Sequence, residues 1–110
     1  MTGSELVAIK ASAGAVTSTV MQIIAAYKQT KTINRTKLRQ LELEAETALR
    51  AMQGHAMGHL YRVNIEEIAK TQRYIDSLHL GGLALDHAMG QLEQLSSELA
   101  ANLMDFRHGY

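Results

Sequence analysis

The sequence predicts an all-α protein, an antiparallel helical bundle of three or four helices with coiled-coil-like packing. The 110 residues include no proline, and they are rich in the Ala, Leu, Glu, Gln, Met and Lys that favour helices. Apolar residues recur at alternating spacings of three and four, which is typical of helices that pack along a narrow seam. No stretch alternates apolar and polar residues as a half-buried strand would. Residues 1–110 are therefore expected to form a single helical domain.

The first predicted helix, over about residues 3–28, combines a regular seam with an uncharged surface of small residues. Its seam positions are Leu6, Ile9, Ala13, Val16, Val20, Ile23 and Tyr27. From Ala11 to Tyr27, seventeen consecutive residues carry no charge. Because a helix facing water normally carries charged residues on its outer side, we expect protein or lipid to cover this helix on more than one side.

The basic segment 28–39 decides between two arrangements. Residues 6–41 contain six basic and no acidic side chains, whereas residues 42–110 contain ten acidic and five basic ones. If the chain turns at residues 29–34, four helices of similar length close into a bundle. If one helix instead continues from residue 5 to about 53, its seam needs a second subunit. Both arrangements fit the pattern, and the poor helix propensity of Thr30, Thr32 and Asn34 favours the turn.

Three further helices are predicted, over about residues 35–53, 64–80 and 83–107. Asn64, three residues before Glu67, resembles a capping box and predicts the start of the third helix. Gly81 and Gly82 predict the break before the last helix. The predicted core positions are Leu38, Leu41, Ala45, Ala48, Met52, Ile65, Ile68, Ile75, Leu78, Leu85, Ala88, Leu92, Leu95, Leu99, Leu103 and Phe106.

Small uncharged residues beside the first seam predict a self-association surface. Small side chains let helix backbones approach closely. The predicted function is therefore a non-enzymatic protein–protein interaction module, an adaptor, regulator or assembly subunit that forms a homo-oligomer. The proposed contact residues are Ala11, Gly14, Ala15, Ser18, Gln22 and Ala25.

The alternative is a membrane-active or membrane-anchored protein whose residues 6–27 enter the bilayer. The segment is close to the lower length limit for a membrane span, and the basic residues after it suit a cytoplasmic flank. However, its strongly apolar members are confined to Val16, Val20, Met21, Ile23 and Ile24. No secretory pattern is recognised at the N-terminus. We therefore expect a cytoplasmic protein, with membrane association as the alternative location.

A lesser alternative is a metal- or haem-binding bundle. His55 and His59 are four residues apart and would point two imidazoles in the same direction on a helix. Met52 and Met57 lie nearby, and thioether sulfur would favour Cu(I). No convincing third ligand follows from the spacing, so no cofactor is predicted.

The tetrapeptide His-Ala-Met-Gly occurs twice, at residues 55–58 and 87–90. The flanking residues do not align, so the recurrence does not indicate an internal duplication. One structural interpretation is that Gly58 and Gly90 allow two helices to pack closely. Chance recurrence is the other.

Four basic residues would share one helix face if the segment that contains them were helical: Lys28, Lys31, Arg35 and Arg39. Such a face could contact nucleic-acid phosphates or anionic lipid headgroups. The sequence pI is about 7.0 and there is no aromatic stacking platform, so nucleic acid ranks below protein as a partner. Pairing with acidic residues of the same chain is the simpler interpretation.

Catalysis is not predicted. The chain has no cysteine, which excludes thiolate catalysis and Cys-ligated zinc. No Ser-His-Asp arrangement and no glycine-rich phosphate loop after a strand can be recognised from the spacing.

Overall fold

The computed structural model describes residues 3–55, 58–79 and 82–109 and forms a four-helix bundle. Its helices are α1 (Gly3–Thr30), α2 (Arg35–Ala51), α3 (His59–Ser77) and α4 (Leu83–Gly109). The prediction of an all-α helical bundle is confirmed.

The helices are arranged in a ring. Each helix packs on the next one in sequence, α4 packs back on α1, and α1 also touches α3 across the centre. Short connections make consecutive helices antiparallel neighbours. The bundle measures 45 × 24 × 18 Å, so α1, at about 42 Å for 28 residues, runs along its whole length.

A turn separates α1 from α2, as the poor helix formers in this segment indicate. Lys31 has a positive φ of 56°, and its N–H donates to the Tyr27 carbonyl at 2.8 Å, ending α1. The Asn34 side chain then accepts a hydrogen bond from the Lys37 N–H at 3.1 Å and caps α2. The alternative of one helix from residue 5 to 53 is therefore wrong.

The predicted seams form the hydrophobic core. Of the α1 seam, Leu6 is half-buried and every other position is buried. Leu78, Leu95 and Leu103 are half-buried at the margin of the core, and the Phe106 side chain lies outside the described residues. The remaining predicted core residues are buried: Leu38, Leu41, Ala45, Ala48, Met52, Ile65, Ile68, Ile75, Leu85, Ala88, Leu92 and Leu99.

The start of α3 differs from the prediction. The helix begins at His59 rather than at Asn64, because the burial of Tyr61 in the core (0% exposed) holds the preceding turn against the bundle. Asn64 lies inside α3 and is not a cap. Its side-chain oxygen accepts a hydrogen bond from Asn102 of α4 at 2.9 Å, a contact that no local pattern encodes.

The predicted break between the last two helices is confirmed. Helix α3 ends at Ser77 and α4 begins at Leu83, and Gly82 adopts a left-handed φ of 83° that favours glycine. Gly81 lies outside the described residues.

Candidate self-association surface

The six predicted contact residues lie on the side of α1 that faces away from the core. Four of them, Ala11, Ser18, Gln22 and Ala25, are exposed, and Gly14 and Ala15 are half-buried. Val7 and Met21 lie on the same side and are 66% and 63% exposed. We call these eight residues the α1 outer face.

The helical period explains why this face stays outside. Val16 and Val20 lie two positions before and after Ser18 and are both 0% exposed. Residues two apart in a helix are separated by about 200° around its axis. Ser18 therefore points away from the core when both valines point into it, and the rest of the face follows the same period.

The α1 outer face contains no ionisable side chain. Gln22 Nε2 donates a weak hydrogen bond to Ser18 Oγ at 3.4 Å, within the face itself. A Cβ atom placed on Gly14 would meet no atom within 4 Å. Gly14 is therefore not required for close packing within the chain, and it leaves the α1 backbone open at this point.

Shallow grooves flank the face on both sides. On the α2 side, a groove of about 320 Å³ is lined by Ala11, Ala15 and Leu43, among others. On the α4 side, a groove of about 390 Å³ is lined by Val7, Ala11 and Met104, among others. Because Ala11 lines both grooves, the face and its two margins form one continuous surface.

The margins of this surface carry exposed apolar side chains, together with the charged Lys10 in the groove on the α4 side and Glu44 in the groove on the α2 side. The described residues include seven exposed large apolar side chains, and four of them border or belong to the α1 outer face. They are Val7 (66% exposed), Met21 (63%), Leu43 (64%) and Met104 (57%). A concentration of exposed apolar groups on one side of a small protein is typical of an interaction surface.

Sequence reasoning missed the margin residues Leu43 and Met104. Leu43 could have been recognised from the sequence, because it lies between the seam positions Leu41 and Ala45. An apolar side chain at this off-seam position does not belong to the core and therefore indicates a contact surface. Met104 follows Leu103 at the end of the last seam, and only the packing of α4 on α1 places it beside Val7.

The predicted anion-contact residues do not form one helical face, because the turn divides them between α1, the turn itself and α2. Lys28 pairs with Glu93 of α4 at 3.1 Å, and Arg35 pairs with Asp76 of α3 at 2.8 Å. Lys31 Nζ lies 5.3 Å from the centroid of the Tyr27 ring. Arg39 is exposed on α2. The two ion pairs support the interpretation that the basic segment is balanced within the chain.

The predicted metal pair, His55 and His59, is brought together. Both line a cavity of about 380 Å³ where α2 meets α3, with Met52, Gly54 and Arg62. Within the described part of the chain, no group of three or more His, Cys, Asp or Glu residues could hold a metal ion. Met57 lies outside the described residues.

The two His-Ala-Met-Gly tetrapeptides have different surroundings. At Gly58 a Cβ atom would lie 2.7 Å from Met52 Cβ, so only glycine fits this close contact. At Gly90 a Cβ atom would meet nothing within 4 Å. The Gly58 contact lies within the connection between α2 and α3 and not between two packed helices, and Gly90 makes no close contact. The interpretation that these glycines let two helices pack closely is therefore wrong for Gly90 and stays a prediction for Gly58.

One helix, over Glu5–Thr30, is long and apolar enough to cross a membrane by length and composition. In its most apolar 18-residue window, 44% of the residues are buried inside the bundle. Core helices of soluble proteins meet the same criterion, so this property does not by itself indicate a membrane protein.

The fold and this surface together define the class of protein. It is a four-helix bundle whose first helix presents an uncharged outer face, beside which lie the exposed apolar side chains of Leu43 and Met104. Comparison with protein-family models, with curated proteins and with solved structures finds no match for the chain.

Proposed function

We propose that this protein is a non-enzymatic, cytoplasmic assembly subunit that binds a second copy of itself through the α1 outer face. The observation that carries the proposal is that this face lacks charge, includes the exposed Val7 and Met21, and is bordered by the exposed Leu43 and Met104. Burying apolar surface stabilises an interface by about 25 cal/mol per Å² removed from water.

A second copy suits the shape of the surface. Small residues form its centre along α1, and larger side chains from α2 and α4 form its margins. Two such surfaces related by a two-fold axis would place the α1 helices in close contact and let the margins of each copy cover the other. Two-fold dimers are the commonest homo-oligomers, and the absence of charge at the centre avoids repulsion between identical surfaces.

The test is the absolute mass of the full chain in solution, measured by light scattering after size-exclusion chromatography. We expect a defined oligomer for the unmodified chain and a monomer for Ser18→Glu. Ser18 is exposed at the centre of the face, so the carboxylate leaves the bundle intact but has to be desolvated in the interface. Ala15→Glu should have the same effect.

Gln91→Glu is the matched control, because Gln91 is also an exposed helical residue but lines none of the grooves beside the α1 outer face. Its mass should equal that of the unmodified chain, and circular dichroism should show equal helix content in all variants. A monomeric unmodified chain, or an unchanged mass for both Glu variants on the face, would contradict the proposal.

The second candidate function is membrane association by α1, which the length and composition of Glu5–Thr30 favour. Insertion would require α1 to leave the bundle and expose its seam to lipid. The test is flotation of the full chain with anionic vesicles. Retention through high salt and an alkaline wash would support insertion, whereas an unbound chain would support the assembly subunit.

A further inference from the structure

We propose that the end of the bundle where α2 meets α3 binds a phosphate-type oxyanion through His55, His59 and Arg62. These side chains line one cavity of about 380 Å³, which Met52 and Gly54 complete. The proposal is independent of self-association, since none of these residues belongs to the α1 outer face.

The backbone brings the three side chains together. Gly54, just after α2, has a left-handed φ of 81°, and the His55 N–H then donates to the Met52 carbonyl at 3.1 Å. Gly58 packs directly on Met52, where a Cβ would lie 2.7 Å from the Met52 side chain. This contact holds the first turn of α3, with His59 and Arg62, against the end of α2.

Among the described residues that line the cavity, Arg62 carries a permanent positive charge and none carries a carboxylate. Arg62 forms a long ion pair with Glu66 of the same helix, whose Oε1 lies 3.8 Å from Arg62 Nε, and both side chains are partly exposed. This distance exceeds that of a hydrogen bond. Arg62 Nε is buried and has no hydrogen-bond partner among the described residues. A guanidinium that is not hydrogen-bonded to a carboxylate can donate to an oxyanion, whose geometry its planar fork matches.

The N-terminus of α3 adds to the positive potential. Its N-cap is Gly58, which offers no side-chain hydrogen bond, and its first turn contains no acidic residue. The first N–H groups of a helix lack intrahelical acceptors and carry the positive end of the helix dipole. Backbone N–H groups at such a position commonly bind phosphate oxygens.

The same cavity suits a cation less well. The described lining offers two imidazoles and the Met52 thioether to a metal ion, and the guanidinium of Arg62 repels a cation. For an anion, the imidazole N–H groups and the guanidinium all serve as donors. The structure therefore favours the opposite ligand charge from the one that the histidine spacing predicts.

The test is a titration of the full ¹⁵N-labelled chain with inorganic phosphate at constant pH and ionic strength, followed by amide chemical shifts. Saturable shifts are expected at His59 and Arg62, and Arg62→Gln should weaken binding by about tenfold or more. Arg73→Gln, on an exposed arginine of the same helix, should bind as the unmodified chain does. A parallel titration with glycerol phosphate distinguishes free phosphate from a phosphate monoester as the preferred ligand.

The proposal is overturned if phosphate gives no saturable shift, or if Arg62→Gln binds it as tightly as the unmodified chain does. It is also overturned if zinc, but not phosphate, binds and the His55→Ala, His59→Ala double variant abolishes that binding. Unchanged shifts for residues remote from the cavity would show that Arg62→Gln keeps its fold.

Discussion

The hydroxyl of Tyr27, in the last turn of α1, donates a hydrogen bond to the carboxylate of Asp86, in the first turn of α4. Tyr27 is 6% exposed and belongs to the core. The hydrogen bond therefore connects the buried C-terminal end of α1 to the N-terminal end of α4. About two turns further along α4, Glu93 pairs with Lys28. Both contacts join the first helix to the last and close the ring of the bundle.

Tyr27→Phe should lower the free energy of unfolding by about 1–2 kcal/mol, because it removes a hydrogen bond to a charged acceptor and leaves the ring in place. Urea unfolding near neutral pH, followed by circular dichroism, measures the loss. Tyr74→Phe is the control, since Tyr74 is a half-exposed tyrosine of α3 and its replacement should change little. Equal stability of Tyr27→Phe and the unmodified chain would contradict the assignment.

The same tyrosine predicts how stability depends on pH. The hydrogen bond to Asp86 is the main cause that raises the pKa of Tyr27, with burial and the Asp86 charge adding to it, and burial raises the pKa of Tyr61. In the unfolded chain both phenols ionise near pH 10. The stabilisation that these two phenols contribute is therefore complete below about pH 10. It is lost as the pH rises through the folded-state pKa values, because the unfolded chain gives up these protons first. Unfolding measured from about pH 8 to about pH 11 should show a shallower decline for Tyr27→Phe, and equal slopes would contradict this.

Alanine substitutions at two leucines of α2 should have different effects, one on the stability of the fold and the other on self-association. Leu41 is 0% exposed and Leu43 is 64% exposed. In the Ser18→Glu background, where we expect assembly to be blocked, Leu41→Ala should cost about 2–5 kcal/mol through the cavity it leaves. Leu43→Ala should change stability by less than about 0.5 kcal/mol. In the otherwise unmodified chain, Leu43→Ala should weaken the oligomer, which dilution measured by analytical ultracentrifugation would reveal; an undiminished oligomer would exclude Leu43 from the interface.

The two glycines of the repeated tetrapeptide should respond in opposite directions to alanine. Gly58→Ala should destabilise the bundle, because the new Cβ would lie 2.7 Å from Met52 Cβ and 3.0 Å from its Cα. Gly90→Ala should stabilise it by up to about 1 kcal/mol, because the site inside α4 is open and alanine has the higher helix propensity. Thermal unfolding of both variants tests the contrast, and a shift of the same sign in both would contradict it.

The cap of α2 offers a further test. Asn34→Ala should cost about 0.5–2 kcal/mol, because it removes the acceptor of the 3.1 Å bond from the Lys37 N–H. Asn34→Gly should cost only a few tenths of a kcal/mol, since glycine is tolerated as an N-cap. Urea midpoints of the two variants give the comparison, and an unchanged midpoint for Asn34→Ala would contradict the assignment of Asn34 as the cap of α2.

Local patterns predicted much of this fold correctly. The seam of α1 from Ile9 to Tyr27 is buried as expected, because the helical period determines which residues share a side. The Asn34 cap and the break at Gly82 also depend on short-range chemistry. Asn64 shows where such reasoning fails: the capping-box pattern with Glu67 is local, but burial of Tyr61 extends the helix past it toward the N-terminus.

The sequence by itself determined the helices, their seams and the uncharged character of α1, because the helical period and capping chemistry act between residues a few positions apart. Tertiary structure decided which sides of α1 the bundle covers, and it left the face centred on Ser18 open between Leu43 and Met104. It also placed Arg62 beside His55 and His59, where the spacing had indicated a metal pair. These outcomes depend on how segments distant in sequence pack against one another, and no local period encodes that.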